Sequence, residues 1–361
     1  MKTRAISKFI MSHLLLLVGL LFVINTLLVW WTPTSITMTR DEYVFYRLTL
    51  NLPDYNTDAR WLDDDIAKES GYFDPAADFS NPGVIALNEA SYTTPVWIHP
   101  PAANYIAYPI ARLFDNPVSQ IKIVHLVCVA IILLTVALFV DIIRRRTNKT
   151  VAALSIFPVL ISRSLLLNGI MLYHDIFMWF FFALTMWVIE CKSNSRWIIL
   201  LAMITVLTKL NAILLLIPIA LFLWYKNKKI EYKVIVPSIC AIVSFLTFQA
   251  IVAKDALYIA HHWGGALSNT ATGFVANVIF PNIVNYIVSW GLFVYVPLLL
   301  VCGFLVIKNR ARRHYPFVAL GLITMGFAFG WAWLGYQVYP IMYASMFMIP
   351  ITVGRHQERE G

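Results

Sequence analysis

Residues 9–43 read FIMSHLLLLVGLLFVINTLLVWWTPTSITMTRDEY. Lys2, Arg4 and Lys8 precede this run, and Trp30-Trp31 end its apolar part. The apolar stretch is longer than the core of a secretory signal and lacks a small-residue cleavage site. It reads as a retained first spanning helix, residues 9–31, with an aromatic anchor at the interface. A few residues further on comes the acidic pair Asp41-Glu42, which opens a hydrophilic loop closing on His99-Pro100-Pro101. Carboxylates placed just outside a bilayer are poor packing material and good chemistry.

The rest of the chain follows the same grammar. Of 361 residues, 60% are hydrophobic and only 13% charged, which excludes an ordinary soluble domain and points to an all-α polytopic membrane protein. The net charge of +9 does not indicate a nucleic-acid partner. Most of the basic residues fall in six short clusters between apolar runs: 2–8, 144–149, 192–196, 226–233, 308–313 and 355–359. That is the pattern of cytoplasmic loops. The loop 32–101 is rich in acids and is placed outside. A spanning helix needs about 20 mostly apolar residues. Segments 9–31, 118–142, 150–169, 171–191, 197–208, 211–225, 234–253, 283–307, 315–332 and 336–353 then give ten spans with both termini cytoplasmic. The division is a single membrane domain, 1–361, with extracytoplasmic loops at 32–101 and 254–282. The apolar stretch 102–114 is short for a span, and counting it would put the Arg144 cluster outside. It is expected to be an interfacial or re-entrant helix, with Arg112 snorkelling. Cys128, Cys191, Cys240 and Cys302 all lie in or at the ends of apolar runs and imply no disulfide framework. Outward glycosylation sequons are absent, which fits a prokaryotic cell membrane.

Polar residues in this setting need explaining. Asp175 follows Tyr173-His174 at the outer start of an apolar helix, where an ionised group is expensive and is by default a functional candidate. Lys209, in Thr208-Lys209-Leu210-Asn211, falls between two apolar runs at the outer surface. There it can snorkel or meet a lipid phosphate. Arg163 reads the same way. His99, His261 and His262 are all placed outside, and two of them converging on Asp175 would make a divalent metal site. Asp63-Asp64-Asp65 has cation-binding spacing but reads as an exposed acidic turn after Trp61.

These residues resemble the GT-C membrane glycosyltransferases, in the branch of protein O-mannosyltransferases and lipid A aminoarabinose transferases. Four features carry the resemblance, in order: Thr-Arg-Asp41-Glu42-Tyr opening the first outer loop; His99-Pro100-Pro101-Ala-Ala-Asn-Tyr105 closing it; His-Asp175-Ile-Phe; and the Thr208-Lys209 turn between tightly joined helices. The resemblance covers residues 1–230, with a degraded late motif at Tyr336 to Pro340, where Gln337 replaces a basic residue. It implies transfer of a sugar from a polyprenyl-phosphate donor to a lipid, glycan or protein acceptor on the extracytoplasmic face of the cell envelope. It assigns Asp41 as general base with Glu42 beside it, and Lys209, Arg163 or a metal as the positive charge on the leaving phosphate. His99, Asp175 and His262 (or His261) are the metal candidates. Two other classes are weighed against it. A transporter or flippase for lipid-linked saccharides should carry charges at the midplane of several helices. A polysaccharide polymerase or ligase places its long loop later in the chain.

Overall fold

The computed structural model describes residues 102–115, 117–146, 174–192, 195–227, 232–252, 292–308 and 314–330, together with 20, 23, 24, 27, 152 and 155. Segments 9–31, 150–169 and 336–353 lie wholly or mostly outside them, as do both outer loops. Every regular element among the described residues is a helix: α1 (Ala102–Ala111), α2 (Pro117–Arg146), α3 (His174–Cys191), α4 (Trp197–Thr208), a 3-10 helix (Leu210–Leu215), α5 (Leu216–Asn227), α6 (Tyr232–Val252), α7 (Leu292–Lys308) and α8 (Tyr315–Gly330). Among the described residues two stretches are long and apolar enough to cross a membrane: Lys122–Arg146, 25 residues, and His174–Cys191, 18 residues.

Among the described residues several of the expected segments reappear closely. Segment 197–208 is α4 to the residue, and 234–253 is α6 shifted by two residues at its start and one at its end. Segment 211–225 differs, because it opens as a 3-10 helix before α5 begins. Lys209 is fully extended (φ −161°, ψ 129°), which stops α4, and the Ala212 N–H donates to the Lys209 carbonyl at 3.0 Å. The i→i+3 bonding that follows turns the chain more tightly than an α-helix would. The stretch 102–114 is helical only to Ala111. At ten residues and about 15 Å it is too short to cross a bilayer.

The helices are sorted by face. On α6 the buried positions are Val234, Pro237, Ser238, Ala241 and Phe245, at helical spacing, while Val236, Ile239 and Val243 point outward. On α7, Leu299, Cys302 and Val306 are buried, and Leu300, Val301, Phe304 and Ile307 are exposed. Both faces are predominantly apolar, with Ser244 and Thr247 on α6 and the terminal Lys308 on α7 among their exposed polar residues. A solvent-facing helix carries charge on its outer face; these helices carry aliphatic and aromatic side chains there, as expected where lipid is the surrounding medium. Hydroxyls in these helices are satisfied internally. Thr135, Thr185, Thr205 and Ser238 each donate to the carbonyl four residues back, at 2.7–2.8 Å.

α3 is the central element. It packs between α2 and α4, α4 packs on α6, and α5 packs on α8, which also meets α7. Buried Trp179, Phe182 and Phe139 lie edge-to-face through the middle, with centroids 5.4 and 6.4 Å apart. Such pairs add to the burial of large apolar surfaces.

The end of the bundle that holds the basic cluster is tied together by one arginine. Arg144 and Arg145 are exposed and both bond Asp141, which also accepts from Trp187 Nε1 at 2.8 Å. Arg146 instead turns inward. It bonds Glu190 Oε2 at 3.0 Å and lies 4.2 Å from the Phe222 ring centroid and 5.0 Å from that of Phe317. Four helices, α2, α3, α5 and α8, therefore meet at one guanidinium. Removing one partner of a buried ion pair costs about 3–5 kcal/mol. The Arg146–Glu190 pair is partly buried, so Arg146→Ala is expected to lower the detergent-solubilised protein's stability by somewhat less than that. Arg146→Lys should lose less, since it keeps the charge but not the planar stacking. An Arg146→Ala protein that melts with the wild type would show that the rings alone hold this end.

Candidate functional site

At the opposite end of α3 three elements bring polar side chains into an apolar interior. The first is α1. Its buried residues are Ala103, Asn104, Ala107 and Ala111. The three alanines recur every fourth position, and small side chains let helices approach closely. Asn104 is the polar member of that face.

The second element is the first turn of α3. His174 and Asp175 are adjacent, so they leave the helix about 100° apart and face different neighbours. A carboxylate in this turn is also favoured by the exposed N–H groups of the helix start. His174 Nε2 donates to Asn104 Oδ1 at 2.9 Å, and each residue is only 3% exposed.

The third element is the joint between α4 and the 3-10 helix. Thr208 Oγ1 turns back to donate to the Thr205 carbonyl at 2.6 Å. Lys209 follows in its extended conformation, and Nζ donates to Asp175 Oδ2 at 2.6 Å. The two side chains are 8% and 7% exposed, so the pair is withdrawn from solvent. By sequence Lys209 stands at an outer helix end, where it can snorkel or meet a lipid phosphate. It is instead buried against a carboxylate, because the extended break aims it at α3 rather than away from the bundle.

The arrangement holds a positive and a negative group in contact, in surroundings that screen them weakly. Burying charge without a partner is very costly, and even the paired state is seldom worth more than an apolar replacement. A buried pair at one end of a spanning bundle is therefore a candidate for chemistry rather than for stability.

Of the residues singled out in the sequence, the fold brings together Asp175 and Lys209. Asp41, Glu42, His99, Arg163, His261 and His262 lie outside the described residues. Among the described residues no group of three His, Cys, Asp or Glu side chains could hold a metal ion. Of the metal candidates only Asp175 is described, and its Oδ2 is held by an ammonium that would compete with a cation for the same oxygen. Sequence reasoning passed over Asn104 and His174. Both stood inside quoted motifs, but neither carries a charge, and nothing local says that residues 70 apart will meet.

No curated protein matches the chain. Residues 98–253 match the family model of the dolichyl-phosphate-mannose-protein mannosyltransferases. The match runs from the end of the first outer loop to just past α6, so it takes in Asn104, His174, Asp175 and Lys209, and Asp41-Glu42 precede it. Over this stretch the resemblance to the GT-C glycosyltransferases is borne out, and the buried polar cluster lies inside a segment similar to the dolichyl-phosphate-mannose-protein mannosyltransferases.

Proposed function

We propose that this protein is a membrane glycosyltransferase that moves a sugar from a polyprenyl-phosphate-linked donor to a lipid, glycan or protein acceptor. The observation that carries the reading is the buried Lys209–Asp175 pair, which lies inside the family-matched stretch. A donor of this class presents a phosphodiester whose ester oxygen becomes a leaving group as the glycosidic bond breaks. A positive group withdrawn from water is worth most to that developing charge.

The topology proposed for it is ten spans with both termini cytoplasmic, in a prokaryotic cell membrane. The arrangement of the described ends supports the orientation of α2, α3 and α4 in that topology. Arg146 and Glu190 lie at the end of α2 and α3 that carries the basic cluster, and Asp175 and Lys209 lie at the other. The latter end is then extracytoplasmic. α4 has 12 residues, about 18 Å, against a hydrocarbon core of about 30 Å. With Trp197 at the cytoplasmic interface, a helix of about 18 Å would leave Lys209 below the outer headgroups rather than level with them.

In the proposed reaction Asp41, with Glu42 beside it, takes the proton of the acceptor nucleophile. The acceptor's lone pair forms the new bond to the anomeric carbon as the bond from that carbon to the phosphate oxygen breaks. The carrier phosphate leaves with the bonding electrons, and the in-line displacement inverts the anomeric carbon. Lys209 or Arg163 meets the departing phosphate. A divalent ion held by His99, Asp175 and His262 (or His261) is the other candidate for that task. The ammonium on Asp175 favours Lys209 over the ion, and no step here depends on a metal.

The test uses the purified full chain in detergent with a polyprenyl-phosphate sugar and an acceptor, following release of free carrier phosphate. Release is expected, and it should persist in the presence of a strong chelator. Loss on chelation with recovery on adding a divalent ion would move the phosphate role to the metal. Absence of release with any donor, alongside movement of the lipid-linked sugar across sealed vesicles, would identify a transporter instead.

A further inference from the structure

α1 packs on α2 and α4, and it reaches α3 through the bond from His174 to Asn104. A ten-residue helix is marginal by itself. The alanines on its buried face are small and interlock little with a neighbour, so by themselves they do not give α1 a sharp register. A hydrogen bond between two buried groups does have one, since either group left unmade pays its full desolvation. Asn104 therefore sets where α1 stands against the start of α3. The next residue of α3 is Asp175, which holds Lys209. The chain immediately before α1 is His99-Pro100-Pro101, the end of the first outer loop.

We propose that Asn104 and His174 form a positioning latch. It locks α1 to the turn of α3 that aims Asp175 at Lys209. The His174 ring is pinned with its proton on Nε2, facing Asn104. Neither latch residue is assigned a contact with the donor or a transferred proton. Their effect passes through the placement of the ion pair, and the link to turnover rests on the transferase reading above.

A misplacement of about 1 Å can cost on the order of 100-fold in rate. Asn104→Ala and His174→Leu are each expected to lower kcat about 10- to 100-fold with little change in donor KM, because the lost positioning is felt in the transition state. The double variant should be no worse than either single, since each removes the same bond. His174→Gln should recover most of the activity, because its amide nitrogen occupies the place of Nε2. His174→Asn, whose amide falls at the place of Nδ1, should not.

A second readout is independent of turnover. Reductive methylation of Lys209 in the folded chain, followed by mass spectrometry, reports how firmly Asp175 holds the ammonium. Methylation is expected to rise about tenfold in Asn104→Ala and His174→Leu, in line with the loss of one buried hydrogen bond. It should stay at the wild-type level in His174→Gln.

Raised methylation without any transfer, in the wild type or a variant, would keep the latch and sink the transferase. Normal transfer and unchanged methylation in Asn104→Ala would sink the latch and keep the transferase. Raised methylation with normal turnover would overturn the link between the two. If the larger truncations do not fold, equal behaviour of His174→Gln and His174→Asn overturns the proposal.

Discussion

Asp41→Asn is expected to lower sugar transfer by about 10²–10⁴-fold, the range for removing a positioned general base. The substitution keeps the shape of the side chain and removes its capacity to take a proton. The acceptor hydroxyl would then have to attack while still protonated, or lose its proton to water. Glu42 stands one residue further along the chain and is one methylene longer, so it is expected to rescue little of the loss. Donor binding should survive, because the base is assigned to the acceptor side of the anomeric carbon. The measurement is single-turnover transfer by purified protein, with membrane insertion checked by extraction and elution behaviour. Turnover within a few-fold of wild type in an inserted Asp41→Asn protein would remove Asp41 from the chemistry. The proton would then have to go to another carboxylate of the 32–101 loop.

The second large effect concerns Lys209 and Asp175, and it separates a structural pair from a working one. Lys209→Ala alone leaves Asp175 as a buried carboxylate without its ammonium. It is expected to destabilise the fold by about 3–5 kcal/mol. That variant confounds stability with function. Replacing both, as Lys209→Met with Asp175→Leu, removes the charges together and keeps most of the volume. Such exchanges of a buried pair are often neutral or stabilising by about 1–4 kcal/mol. The double variant should therefore melt at or above the wild-type temperature and yet transfer sugar about 10²–10³-fold more slowly, as when one transition-state donor is removed. Lys209→Arg should keep the charge and recover part of the rate, because a planar guanidinium presents its donors differently from a compact ammonium. A stable double variant with wild-type turnover would mean that the pair merely fastens α3 to α4. The phosphate would then belong to Arg163 or to a metal.

How much of this was legible in advance depends on the range of the interaction. The ends of α4 could be read to the residue, because a run of apolar residues between Arg196 and Lys209 is a local pattern. Asp175 and Lys209 stood out individually, since a charge beside a spanning segment is costly wherever its partner is. Their pairing could not be read. It spans 34 residues, and it depends on an extended residue at the end of α4 that redirects the lysine by one backbone torsion pair. Hydropathy also made Lys209 look like a surface residue, because a long side chain at a helix end normally snorkels.

The three consecutive arginines make the same point. Read along the chain, Arg144, Arg145 and Arg146 are one cytoplasmic cluster. In the fold the first two stay exposed on Asp141, while the third enters the bundle to meet Glu190 44 residues away. The sequence by itself determined the helical class, the apolar and polar segments, and the side chains too polar for their surroundings, because these follow from local composition and from the cost of burying charge. The tertiary structure decided which of those side chains meet, Asn104 with His174 and Asp175 with Lys209, and which arginine faces inward. Partners are chosen by how each helix is rotated and shifted against its neighbours, and that is settled by packing across the whole bundle rather than by any one segment.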